Sequence, residues 1–232
     1  MSVTYGNSIV TNGLIMYYDA ANPRSYPGSG TTLTDLSSTG TTGVLTNGTS
    51  YSSANGGTLV FDAVDDYVEL NTQLNSISSV GDVSYSILSW VKINSNRPAG
   101  GASIGSSAIV GHNQAYGIGL QIDTGNFVNF GLRSTGNYDG ATALALNTWY
   151  HAVGVKIGGG SSFIYVNGVQ DGTSTSPAGI IAPSTTMRIG YGPGRNPAPF
   201  DGSIAVVQIY NRALSAAEVL QNFNAHRGRY GI

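Results

Sequence analysis

The alternation of apolar and polar residues along this chain predicts many short strands and one helix at the end. Residues 13–19 (GLIMYYD), 58–62 (TLVFD) and 67–70 (YVEL) are apolar runs bounded by Gly, Asn and Asp, and the longer VSYSILSWVKI (83–93) follows. On that run Val83, Tyr85, Ile87, Val91 and Ile93 share a face, with Ser89 as the exception. SAIVGH, YGIGLQI and NFVNFGL come next, and WYHAVGVKI (149–157) puts Trp149, His151, Val153, Val155 and Ile157 on one side. In SFIYVNGVQDG, Asn167-Gly168 between apolar residues is a two-residue hairpin signal. MRIGY and SIAVVQIY complete the set. In the last run Ala205, Val207 and Ile209 fall on one face, with Ile204, Val206 and Tyr210 mostly on the other. Both faces are apolar, so both should be covered. About a dozen strands and a single helix predict an all-β fold, a two-sheet antiparallel β sandwich of the jelly-roll kind.

The helix signal lies in GSIAVVQIYNRALSAAEVLQNFNAHRGRYG, residues 202–231. Ser215 stands at an N-cap position and Glu218, three residues on, completes a capping box; Leu214 and Val219 can form the hydrophobic staple. Ala216, Val219, Leu220 and Phe223 then make one apolar stripe, and Gly228 behind Arg227 is the expected stop. Residues 20–53, 94–106, 172–185 and 192–200 read as loops, the first long for a structureless connection. There is no internal repeat and no linker-like shift in composition. The expectation is one domain over residues 1–232, with residues 1–12 set apart as an N-terminal arm.

Composition changes the picture in one respect. Charged residues are 9% of the chain against about 25% in an average soluble protein. The surface is therefore solubilised by hydroxyls and amides, which suits an extracellular or particle-bound protein. The ten Lys and Arg are scattered and the net charge is −2, so no footprint for nucleic acid or an anionic membrane exists. There is no cysteine, hence no disulfide or thiol chemistry. The first residues lack a basic region followed by an apolar core, and no apolar run approaches the ~20 residues of a membrane span. The expectation is a soluble chain with neither signal peptide nor transmembrane segment.

The motifs GLIMYYDAANPRSYPGSGTTLTDLSSTGTTGVLTNG, LVFDAVDDYVEL, SILSWVKI, WYHAVGVKI, FIYVNGV and IAVVQIYNRALSAAEV occur in this order. Together they resemble the laminin-G-like domains of the concanavalin A-like lectin/glucanase superfamily, and more narrowly the versions found in structural proteins of marine and cyanobacterial phages. The resemblance covers nearly the whole chain. It implies a concanavalin A-like jelly roll, used as an adhesive module for carbohydrate or protein and often holding a structural Ca²⁺. The chain departs from the family pattern where Ala205 and Val206 replace a common acidic residue. It departs again where Leu33 stands for a Trp, and where Thr41 and Thr42 stand for asparagines. The first departure weakens any calcium site carried over from relatives.

Candidate chemistry is sparse. Asp62, Asp65 and Asp66 form the densest acidic group, open to two readings: Ca²⁺ ligation, with Asp19 and Asp35 as further oxygen donors, or a turn whose aspartates cap backbone amides. Glycoside hydrolysis needs two carboxyl groups, and its usual E-x-D-x-x-E motif is missing. The two glutamates are Glu69, alone on its strand, and Glu218, a cap; Asp123 and Asp139 pair only if folding happens to bring them together. His151 sits on a buried-looking face, whereas His112, beside Asn113 and Gln114, faces a loop; neither has a nucleophile to serve. For carbohydrate, His112, Tyr138 in STGNYDG, and Tyr191, Arg195 and Asn196 in GYGPGRNPAPF are the candidates, against the plain reading of tyrosine as a strand former.

With the resemblance, these readings predict a non-enzymatic phage virion protein, an exterior decoration module of head or tail with a lectin-like face. It would be partnered by major capsid or tail proteins and would assemble as a homo-oligomer, a trimer among the options. No cofactor is required, with a structural Ca²⁺ as an allowed addition. The alternatives are a tail-tip protein recognising host surface polysaccharide and a degenerate glycanase.

Overall fold

The computed structural model describes residues 8–72, 74, 77, 83–96, 107–112, 118–123, 125–132, 136–175, 186–192 and 198–232. Two antiparallel sheets pack face to face. The first contains β1 (Leu14–Asp19), β4 (Ser50–Ser52), β5 (Thr58–Asp62), β7 (Tyr85–Ile93), β12 (Trp149–Lys156), β13 (Ser161–Val166), β14 (Val169–Thr175) and β18 (Asp201–Tyr210). Its order is β14-β13-β12-β7-β18-β5-β4; β5 pairs with the first half of β18 and β1 with the second. The second sheet contains β2 (Thr32–Thr34), β3 (Thr42–Thr46), β6 (Tyr67–Leu70), β8 (Ser107–His112), β9 (Ile118–Ile122), β10 (Phe127–Leu132), β11 (Gly136–Ala143) and β15 (Met187–Ile189), in the order β11-β10-β9-β8-β15-β6-β3-β2. A small ribbon of β16 (Tyr191–Gly192) and β17 (Ala198–Pro199) stands beside it. Segment 20–53, expected as a loop, thus supplies three short strands.

The core between the sheets takes Ile87, Val91, Ile204, Val207 and Ile209 from the first sheet, and Val68, Leu120, Val128, Phe130 and Met187 from the second. Ser89, the exception in its strand's pattern, is buried among them because its hydroxyl donates to the Val206 carbonyl at 2.8 Å. At Gly154 the two sheets lie too close for a side chain. A Cβ there would stand 2.0 Å from the Phe130 ring, so this contact has room for glycine alone. At Asn167 and Gly168 both φ angles are positive (51° and 79°), as the tight β13–β14 hairpin requires.

The outer face of the first sheet is apolar as well, and α1 (Ala216–His226) covers it. Val219 packs with Leu88, Val153, Val155, Tyr165, Tyr210 and Leu214; Phe223 and Tyr230 pack with Trp90, Trp149 and Val206. The capping box forms as expected, and Glu218 also takes Arg212 at 2.6 Å, which holds its carboxyl down at about 2.

Three local expectations need correction. A bulge between Ile204 and Val206 shifts the parity of β18, so Ile204, Val207 and Ile209 face inward and Val206, Gln208 and Tyr210 face the helix. The buried stripe of α1 is Val219, Asn222, Phe223 and His226, while Ala216 and Leu220 are exposed. The chain also does not stop at Gly228: a 3₁₀ turn runs over Arg227–Tyr230, and Gly231 is the left-handed residue (φ 71°). Among the described residues, no helix is long and apolar enough to cross a membrane.

Candidate functional site

Among the described residues, the outer face of the second sheet gathers polar chemistry. On β9, Ile118, Leu120 and Ile122 enter the core, which turns Gly119, Gln121 and then Asp123 outward; on β10, Val128 and Phe130 turn Asn129 and Gly131 outward. The register places Arg188, Gly111, Gly119 and Gly131 side by side on β15, β8, β9 and β10. Three adjacent glycines form a lane without side chains across the strands. Close packing enforces it in part: a Cβ on Gly111 would lie 2.9 Å from the Ile118 carbonyl.

One residue pair along the strands, Gln121, Asn129 and Asp139 form a second row on the same face. Gln121 and Asn129 are each 1% exposed. The Asn129 amide donates to Asp139 at 2.6 Å, yet its Oδ1 has no partner, and neither do Nε2 and Oε1 of Gln121. Buried polar atoms are nearly always hydrogen-bonded, so three unmet atoms in neighbouring residues stand out. Asp123 closes the row. Its Oδ1 accepts from the Gly125 and Phe127 amides, and burial, with Asp139 adding to it, pushes its carboxyl above the ordinary range.

At the other end of the lane is an aromatic platform. The Arg188 guanidinium lies 4.0 Å from the centre of the Tyr67 ring and 5.8 Å from that of Tyr191, and the two rings are 5.9 Å apart. Glu69 holds Arg188 at 2.6 Å and accepts from Thr186. All four residues of this platform, Tyr67, Glu69, Arg188 and Tyr191, are half-buried.

The residues singled out from sequence are dispersed. Tyr191 joins the platform. Tyr138 lies in strand β11 and not in a loop, with Phe130 as its register partner. His112 is buried, 2% exposed, and opposite Met187 in register. Arg195 and Asn196 lie outside the described residues. Asp62, Asp65 and Asp66 do converge, each offering a carboxylate oxygen within 4.8 Å of the others. Asp19 is elsewhere, gripped by Arg229 at 2.9 and 3.0 Å beneath the 3₁₀ turn, and Asp35 accepts from the Tyr17 and Ser37 amides. Gln121, Asn129, Tyr67, Arg188 and Glu69 were missed. The signal for the first two is the strict parity of IGLQI and FVNFGL, which sends one amide per strand to the face away from the core.

Comparison with known proteins decides the family. Residues 61–220 match the laminin-G-type model of the concanavalin A-like lectin/glucanases superfamily. The chain belongs to this superfamily. No curated protein sequence matches this lectin/glucanase domain. Among solved structures it is similar to domain 4 of an extracellular GH43 arabinanase from Geobacillus stearothermophilus in complex with arabinotriose. The identity is 21%, the TM-score 0.68, and the match covers 92% of this chain and 99% of that one. It is also similar to the Trypanosoma rangeli sialidase in complex with sialic acid, at 17% identity and a TM-score of 0.67, covering 97% of this chain and 36% of the sialidase. At these identities the likeness establishes the fold.

These neighbours correct one expectation. The lectin/glucanase domain was expected not to be an enzyme, on the ground that the single-strand acidic motif is missing. Its structural neighbours come from glycoside hydrolases, so the missing motif does not support the expectation of a non-enzyme. Carboxyls can also gather from separate strands, as they do in the meander β9-β10-β11. It brings Asp123 and Asp139, sixteen positions apart in sequence, into electrostatic reach on one face.

Proposed function

We propose that this lectin/glucanase domain recognises a polysaccharide laid along the glycine lane on the outer face of the second sheet. The observation that carries the reading is the set of unmet amide atoms on Gln121 and Asn129. Sugar hydroxyls are both donors and acceptors and would satisfy both ends of an amide, as a single-function ligand would not. The Tyr67–Arg188–Tyr191 platform supports it with apolar surface for the C–H faces of sugars. Because the amides are nearly inaccessible in the free chain, a sugar reaches them as this face opens, and association should be slower than diffusion.

A glycan array followed by calorimetry on the best binder tests the reading. Gln121→Ala and Asn129→Ala should each weaken binding about tenfold, the loss of one or two buried hydrogen bonds. A bound glycan whose affinity neither change affects would sink the proposal.

A second reading, hydrolysis, is favoured by the raised carboxyl of Asp123 beside Asp139. One carboxyl held protonated as general acid and a second as nucleophile or base is the division of labour that glycoside cleavage needs. Reducing-end release from arabinans and β-glucans, abolished by Asp139→Asn, would establish it; no release from any glycan that binds would reject it.

We further place this recognition on the exterior of a virion, with a head or tail protein as the docking partner and a symmetric homo-oligomer as the assembled form. The sequence resemblance to phage structural proteins and the low-charge surface support that placement, either as a decoration module or as a tip that contacts host polysaccharide. Antibody labelling of intact virions should mark their outside; particles that lack the chain altogether would refute it.

A further inference from the structure

We propose that α1 and the 3₁₀ turn after it form an acid-released strap, which lifts from the outer face of the first sheet while the sandwich beneath stays folded. The strap is separable because of how it packs. Val219, Phe223 and Tyr230 sit in two apolar clusters with residues of that outer face, and neither cluster belongs to the core between the sheets. Among the described residues every strand ends at or before Tyr210, so lifting residues 211–232 breaks no strand pairing. Such a unit can open on its own, below the cost of global unfolding.

Two buried imidazoles, His151 on β12 and His226 on α1, lie within electrostatic reach of each other across this interface. The His151 ring is enclosed by Trp90 at 5.3 Å and Phe223 at 6.0 Å, and its Nδ1 has no partner. His226 meets the Tyr17 hydroxyl and the Asn222 carbonyl, each at 3.4 Å. An imidazolium donates from both nitrogens and is favoured by a neighbouring carboxylate. The fixed charges around the pair offer the reverse. Arg229 and Arg227 come from the strap itself, with Arg227 5.8 Å from the Phe223 ring centre, and Lys92 of β7 stands 5.6 Å from that of Trp149. Asp19, at the end of β1, is already held by Arg229 at 2.9 and 3.0 Å. Asp171 of β14 accepts from the Ala141 and Thr142 amides of β11, and Glu218, at the other end of α1, is taken by Arg212. Tyr17, Tyr165, Tyr210 and Tyr230 add only phenols, which are neutral in acid.

The closed strap thus has no place for a proton on either ring; burial holds His151 down at about 3 and His226 below its ordinary value. Lifted into water, both rings regain an ordinary imidazole value near about 6.5. Protons are then taken up by the open form, and each pH unit below about 6.5 moves the balance toward opening by up to about tenfold per imidazole. Docking is therefore firmest above that pH and weakens as the pH falls. Opening also gives water to Trp90 Nε1, Gln208 Nε2 and the Tyr230 hydroxyl, which are buried without partners beneath the strap. The inference stands apart from glycan binding, since the strap lies on the first sheet and the glycine lane on the second.

Both tryptophans of the chain, Trp90 and Trp149, lie under the strap, with the Tyr230 ring 4.1 and 4.7 Å from theirs. Their emission and amide hydrogen exchange, followed in the full chain from about pH 8 to about pH 4 beside the far-ultraviolet signal of the sheets, test the proposal. The expected result is a red shift in emission and faster exchange in residues 211–232, with a midpoint between about pH 6.5 and about pH 4, while the sheet signal holds. His151→Phe should lower that midpoint by about one pH unit and make the transition less steep, and His226→Gln should act in the same direction. Emission unchanged down to the lowest pH would overturn the proposal. So would loss of strap and sheets in a single transition, or a midpoint that neither variant moves.

Discussion

His151 shows what a single side chain can do under the terminal helix. Its ring lies 5.3 Å from Trp90 and 6.0 Å from Phe223, and burial pushes its pKa down to about 3. His226, close by on α1, is lowered for the same first reason. The unfolded chain takes up protons at these imidazoles as the pH falls through about 6.5, while the folded chain refuses them until far lower. Stability from this source is therefore complete above that pH and is lost as the pH falls toward 3. Each withheld proton costs about 1.4 kcal/mol per pH unit. The melting temperature should be nearly flat from pH 7 to 9 and should fall steadily below 6.5, and His151→Phe should flatten part of that fall. An acid limb identical in His151→Phe would show that the proton is excluded elsewhere. The sequence already placed His151 on a buried face, because period-two alternation in WYHAVGVKI is clean. It could not show what lay against that face.

At the scale of elements, legibility followed the length of the regular pattern. The long runs that became β7, β12 and β18, the Asn167-Gly168 hairpin and the capping box of α1 were all readable, since each is encoded by neighbours in sequence. The bulge after Ile204 was not, because pairing with β7 forces it and a one-residue shift then inverts every side chain beyond it. The stripe of α1 misled for a related reason. Two of its buried members are polar, and their burial is favourable only through partners far away. Asn222 accepts from the Val10 amide at 2.8 Å and donates to the Tyr210 hydroxyl at 3.1 Å, which in turn donates to the Val10 carbonyl at 2.7 Å. Asn222→Leu, a more apolar residue of similar size, should thus destabilise the fold by about 1–3 kcal/mol in denaturant melts. A hydropathy view of the same helix expects a gain, so the sign of the change separates the two accounts. The candidate site was harder still, because Gln121, Asn129 and the three lane glycines lie on different strands and become neighbours only through register.

Among the described residues the molecule is layered, with α1 on one outer face, the sandwich core in the middle and a polar face opposite. The proposed recognition and the helical support thus lie on opposite sides. The pairing of β1 with β18 gives this arrangement a mechanical character. The two strands are antiparallel, with Leu14 opposite Tyr210 and Asp19 opposite Val206. A pull applied between the segment before Leu14 and the segment after Tyr210 enters at that first pair and peels the ladder one bond at a time. A pull between the segment before Leu14 and the segment before Asp201 instead loads the whole ladder in shear. In single-molecule pulling, the first geometry should yield at clearly lower force than the second; equal rupture forces would mean that the ladder is not what resists. A particle that used this domain under flow would hold best if anchored across that shear direction, and its grip would then depend on where the tether was attached.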